Sequence, residues 1–222
     1  GFGGGTFGGP FRQVETRESD TGELFVQGRH VLVLISPDRS KVWGWSQSSG
    51  KMTPLPVDVP EEERGKVQPI VGQDVAMLVV GGTVYAFGGS SGKWGSHPVG
   101  ERDAVNHLGV PVVGTTVAAT RTADGVYAYS GVSGKGGLHE LGEGEEAVAP
   151  SVGIDYAMVR SPKSFGMFSA ETGTWGSVRY PQPQGESAPD NGGEEGPGEP
   201  DQPADSDADR GSSNAEADEA TE

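Results

Sequence analysis

The sequence predicts an all-β fold made of about four repeats, and three observations carry that prediction. The phrases Trp45–Met52, Phe87–Trp94, Tyr129–Gly136 and Phe168–Trp175 are copies of one aromatic-to-glycine turn. Their glycines, Gly50, Gly92, Gly134 and Gly173, stand 42, 42 and 39 residues apart. A second phrase, Pro69–Gly72, Pro111–Gly114 and Pro150–Gly153, keeps the same spacing, and each copy is followed four residues later by Ala76, Ala118 or Ala157. Third, the apolar residues fall in short runs of Val, Ile, Tyr, Phe and Trp closed by Gly, Ser, Asp or Pro, without helical periodicity. A period of 39–42 residues is the size of one four-stranded blade, so the expected architecture is β-propeller-like. A bent β-solenoid or an open β-sandwich built from the same hairpins is the alternative.

The elements follow in order within each unit. Apolar runs at Val31–Ile35, Val75–Val80, Val117–Arg121 and Tyr156–Arg160 read as inner strands buried on both faces. Turns at Pro37-Asp38, Gly81-Gly82, Ala123–Gly125 and Pro162-Lys163 lead into strands marked by Trp43/Trp45, Tyr85/Phe87, Tyr127/Tyr129 and Phe165/Phe168. Aromatics two apart share a face and can pack on a neighbouring sheet. The Gly-Lys or Gly-Thr turn, where glycine supplies a positive φ, opens a third strand. A polar fourth strand, Lys66–Val71, His107–Val113 or Glu145–Val152, reads as the outer blade edge. The fourth unit stops near Tyr180 after about three strands, so residues 11–27 are expected to complete it by pairing with its edge.

Composition divides the chain of 222 residues into 1–10, a flexible Gly-rich lead-in, 11–180, the repeat domain, and 181–222, an acidic tail. The tail has 13 acidic residues, one basic residue and no aromatic or branched aliphatic side chain, so it is expected to be disordered. It holds −12 of the net charge of −16, leaving −4 for residues 1–180. A near-neutral domain with scattered Lys and Arg argues against a nucleic-acid groove. There is no cysteine, so disulfides and thiolate metal sites are excluded. No run of about 18 apolar residues crosses a membrane in this sequence. The chain begins with Gly1 instead of Met, which points to a segment removed upstream.

Val84–Gly89 resembles the kelch strand that ends in a diglycine, and Phe168–Trp175 resembles the kelch phrase of aromatic, small acidic turn and tryptophan. Val126–Ser130 with Ser133-Gly134-Lys135 is similar to the repeats of quinoprotein-type propellers. The resemblance covers residues 24–180. It implies a β-propeller-like fold and binding of partners through loops at one end.

No catalytic constellation, metal set or cofactor motif accompanies the repeat. Of the histidines His30, His97, His107 and His139, His97 and His139 occupy the same repeat position, which repetition explains without ligand duty. Gly88–Lys93 has the wrong spacing for a phosphate loop and lacks a following helix. Four tryptophans at fixed positions read as packing between blades, or as a sugar-stacking surface if exposed. The residues with most to offer are Asp74 and Asp155, equivalent positions before two strands, with Arg121 and Arg160, equivalent at the other end. Groups at such strand ends border a central channel and form the candidate ligand site, although capping and tying duties also fit them. The function expected is a non-catalytic binding or structural module with a protein partner, either monomeric or completing a larger ring as an oligomer. The alternative is an enzyme or carbohydrate-binding propeller with its site on the channel.

Overall fold

The computed structural model describes residues 15–18, 21–100, 108–142, 145 and 149–181; the lead-in 1–10 and all of the tail beyond Pro181 lie outside them. All described residues belong to the unit Gly1–Gln182. Among them there is no α-helix, only a 3₁₀ turn at Glu61–Glu63.

Among the described residues, seventeen strands form four antiparallel sheets, each a meander in sequence order. The first contains β1 (Glu15–Glu18), β2 (Leu24–Gln27), β3 (Val31–Ile35), β4 (Val42–Ser46) and β5 (Lys51–Pro54). The second contains β6 (Ile70–Val71), β7 (Val75–Val80), β8 (Thr83–Gly88) and β9 (Trp94–Pro98). The third contains β10 (Val112–Val113), β11 (Val117–Thr122), β12 (Gly125–Ser130) and β13 (Gly136–Glu140). The fourth contains β14 (Ser151–Val152), β15 (Tyr156–Arg160), β16 (Ser164–Ser169) and β17 (Thr174–Arg179). The fold is all-β and propeller-like, with register repeated from sheet to sheet. Ala76 faces Phe87, Ala118 faces Tyr129 and Ala157 faces Phe168.

Each sheet packs flat on the next. One face of β3 and β4 (Val31, Val33, Val42) meets Ala76, Leu78, Tyr85 and Phe87 in the first core. The other face of the second sheet (Val75, Met77, Val84) meets Tyr127 and Tyr129 in the next. Val117, Ala119 and Val126 then meet Ala157, Val159 and Phe168 in the last. This period-2 division explains why β7 and β11 read as continuous apolar runs, both of their faces being covered, whereas β3 and β15, expected to be buried on both faces, are covered on one only, because no described sheet packs on the other.

The structure corrects three sequence expectations. The short strands at Ile70–Val71, Val112–Val113 and Ser151–Val152 do not close the preceding units; each pairs with the strand that follows it. They also lie on the inside, which makes β7, β11 and β15 the second strands of their sheets, not the innermost, while β3 is the third of its five-stranded sheet. The reason is close approach: a Cβ on Gly28, Gly72 or Gly114 would run into the carbonyl oxygen of Gly72, Gly114 or Gly153, so only glycine lets the sheets converge there. Second, the described residues of the segment 11–27 do not complete the fourth sheet; residues 11–14, 19 and 20 lie outside the described ones. Glu15–Glu18 pairs with Leu24–Gln27, which pairs with β3 of the first sheet. The loop before Val31 is too short to carry the chain to a distant edge, so the hairpin forms locally. Third, Phe165 and Phe168 do not share a face, because they are an odd number of residues apart; Gly166 takes the place of Tyr85 and Tyr127 beside Phe168.

Candidate functional site

The joints between sheets use most of the polar groups singled out in the sequence. The amides of His30, Asp74 and Thr116 each donate to a carbonyl one sheet further on, at Gln73 (2.8 Å), Thr115 (2.8 Å) and Ile154 (3.0 Å). The carbonyls of His30, Asp74, Thr116 and Asp155 in turn accept from Gln47, Gly89, Gly131 and Ala170 of their own sheets. Asp74 is buried, and one carboxylate oxygen accepts from Ser90 Oγ at 2.8 Å. Its second oxygen has no hydrogen-bond partner among the described residues. Desolvation pushes the Asp74 carboxyl above its ordinary pKa, against the opposing pull of Ser90 and the field of His30. Asp74 is thus a locking residue between loops, sealed by the backbones of Gly89 and Gly131.

The other three candidates do not join it. Asp155 is exposed at the start of β15 and contributes its carbonyl to Ala170. Arg121 lies at the far end of β11 from Thr115, the residue bonded to Asp74, roughly 20 Å away at strand rise. Arg160 occupies the corresponding end of β15 in the fourth sheet.

Two of the histidines, His97 and His139, pack between sheets as well. His97 stacks on Tyr127 (5.0 Å between centroids, 8° between planes), and His139 lies against Trp175 at 5.3 Å. His30 Nδ1 is 2.7 Å from Gln47 Oε1. His107 lies outside the described residues. Among the described residues no three His, Asp or Glu side chains could hold a metal ion, and no helix is long and apolar enough to cross a membrane. The Ser-Ser-Gly-Lys segment is a hairpin turn between β8 and β9, with Gly92 at φ 65°.

Trp94 and Trp175 bridge sheets: their indole Nε1 groups donate to Thr53 O (3.1 Å) and Gly137 O (2.9 Å) of the sheet before. Trp43 and Trp45 do not. Both are half-buried and share the outer face of the first sheet with Leu32 and Leu34, opposite the face that packs on the second sheet.

A cleft of about 300 Å³ lies on the corresponding outer face of the fourth sheet. It is lined by Ala149, Ser151, Met158, Arg160, Phe165 and Tyr180. Around it Tyr156, Met167 and Val178 are 38%, 44% and 62% exposed, which is unusual for side chains of this size. Of the cleft residues the sequence offers Arg160 as a site candidate and Phe165 only as a packing aromatic. The signal for the rest was present as the phase break at Phe165, which turns an aromatic ring away from the core.

These features define a propeller-like domain of stacked β-meanders with an open apolar face beside an arginine. No protein-family model matches the chain, and neither does any curated protein. Similar solved structures include Hsv2 of Kluyveromyces lactis, at 11% identity over 72% of this chain and 58% of that one, with a TM-score of 0.34. Prp20p of Saccharomyces cerevisiae, described with its binding properties to Gsp1p and histones, is 15% identical over 67% of this chain and 44% of its own, at TM-score 0.32. The N-terminal domain of Nup159 is 8% identical over 72% and 42%, at TM-score 0.30. The chain thus spans about 58% of Hsv2 and less of the other two. The fold assignment rests on the strand pairing of this chain itself, and the kelch and quinoprotein resemblance on its strand-and-turn phrases alone.

Proposed function

We propose that this domain is a non-catalytic binding module that engages a protein partner through the outer face of the fourth sheet. The observation that carries the reading is the cleft around Arg160 and Phe165, set in a sheet face whose large apolar residues stand in solvent. Apolar area of this kind gains free energy when covered, and a guanidinium at its rim can fix orientation by bidentate hydrogen bonds. A catalytic channel site has less behind it, since Asp74 is sealed by loop backbones and Asp155, Arg121 and Arg160 do not converge on it.

Selection of phage-displayed peptides on the purified chain tests this. The expected result is enrichment of binders that lose affinity for Phe165→Asp and Arg160→Glu while keeping it for Glu171→Ala, an exposed turn residue away from the cleft. If the chain as a monomer enriches no peptide, or if all enriched peptides ignore the two cleft substitutions, the reading fails.

A further inference from the structure

We infer that the partner on this face is a second copy of the chain, whose first sheet docks its outer face on the fourth sheet head to tail. The inference rests on the binding reading above and names the partner.

The argument starts from the three joints inside the chain, which reuse one set of positions. At each joint the aromatic ring of the following sheet (Phe87, Tyr129 or Phe168) enters the shared core. The amide before the second strand reaches across to a carbonyl of the next sheet, as described for His30, Asp74 and Thr116. A buried hydroxyl adds a further bond at two joints, from Ser46 Oγ to Gly89 O and from Ser130 Oγ to Ala170 O, both 2.5 Å.

The outer faces of the first and fourth sheets each hold half of such a joint. On the fourth sheet the donor positions are the Asp155 amide and the Ser169 hydroxyl, and among the described residues neither reaches another sheet. On the first sheet the acceptor positions are the carbonyls of Arg29 and Gln47, likewise unused. Trp45 stands where Phe87, Tyr129 and Phe168 stand, and Met52 stands opposite it where Trp94 faces Phe87 and Trp175 faces Phe168. Met167 is opposite Met158 at the position of Gly44, Ala86 and Ala128, which receive the next sheet's ring. The side chains here are larger than at the internal joints, but two methionines can adapt to an indole.

The two end faces are therefore donor and acceptor, and ring side and seat side, of one repeated interface. A second copy is the partner that presents the first face by construction. Two copies place eight sheets in sequence, within the range of closed propellers, and a two-fold ring uses both faces of each chain and leaves none open.

Sedimentation equilibrium of the full chain tests the proposal. The expected species has twice the chain mass and dissociates on dilution. Met52→Glu and Met167→Glu, each at a site 44% exposed, should give monomers that melt at the temperature of wild type diluted to monomer, because a carboxylate is costly in an apolar joint. Mixing the two variants should restore a two-chain species, weaker than wild type, since one intact face of each kind remains. A wild-type chain that stays monomeric, a variant that still associates, or a mixture that does not, overturns the proposal. Peptides selected by the fourth-sheet face of a monomeric wild type would overturn self-association alone and keep the binding reading. Monomer without such peptides removes both.

Discussion

The indole Nε1 of Trp94 donates to the carbonyl oxygen of Thr53 at 3.1 Å, joining the outermost strand of the second sheet to that of the first. Trp175 repeats the contact on Gly137 at 2.9 Å, two sheets on. Where the sheets converge, glycine backbones touch; where they diverge, a tryptophan spans the gap. Replacing Trp94 or Trp175 with Phe keeps a ring beside Phe87 or Phe168 and removes the donor together with part of the packing area of the indole. Each substitution should cost about 1 kcal/mol in chemical denaturation, and the double variant about the sum, since the sites are far apart.

Ser130→Ala should be more damaging than an exposed serine change. The hydroxyl is fully buried, donates to Ala170 O and accepts from the amides of Val132 and Ser133 at 3.2 and 3.0 Å. Its loss leaves the buried Ala170 carbonyl without that donor and frees the turn, for an expected cost of about 1–3 kcal/mol. A denaturant midpoint equal to wild type would show that the bond is not formed.

Gly44→Ala tests the packing of the first joint. A Cβ at Gly44 would lie 2.5 Å from Phe87 Cγ, a ring that is itself fully buried. The ring has nowhere to withdraw, so overpacking should lower stability by about 1–3 kcal/mol. Gly50→Ala, in the turn with open space around it, should be destabilised by its φ of 65° alone.

Asp74 predicts a pH dependence of definite sign. Burial raises its folded pKa above the unfolded value, so the folded state binds the proton more tightly. The corresponding stability is present below the unfolded pKa and is lost as pH rises through the folded one. The stability of Asp74→Asn minus wild type should therefore increase as pH rises above the ordinary aspartate range. Asp38 works in the opposite direction: Ser36 and Ser40 hydrogen-bond its carboxylate and hold its pKa well below the usual range. Its contribution is present above the unfolded pKa and fades only as pH falls well into the acid range. Urea titrations of Asp74→Asn, Asp38→Asn and wild type across pH separate the two; a pH-independent Asp74→Asn difference would show that Asp74 is not desolvated.

The sequence by itself determined the existence and number of the sheets. Strand period and turn glycines are local, and Gly50, Gly92, Gly134 and Gly173 recur at the same turn with φ of 65–68°. It also placed His97, His139, Trp94 and Trp175 at equivalent positions, which the structure explains as packing between sheets. The membership of the short strands at Val71, Val113 and Val152 was decided only by the tertiary structure. Two residues of strand pair equally well with what precedes or follows until the converging glycines settle the matter. The same holds for Asp74 and Arg121: equivalence along a repeat shows that residues are alike, not that they are near. Which faces stay open was likewise invisible, because Trp45 and Phe87 read as the same residue in the same phrase. Only the stacking order covers one by a neighbouring sheet and leaves the other at the end of the row, where its burial depends on what binds next.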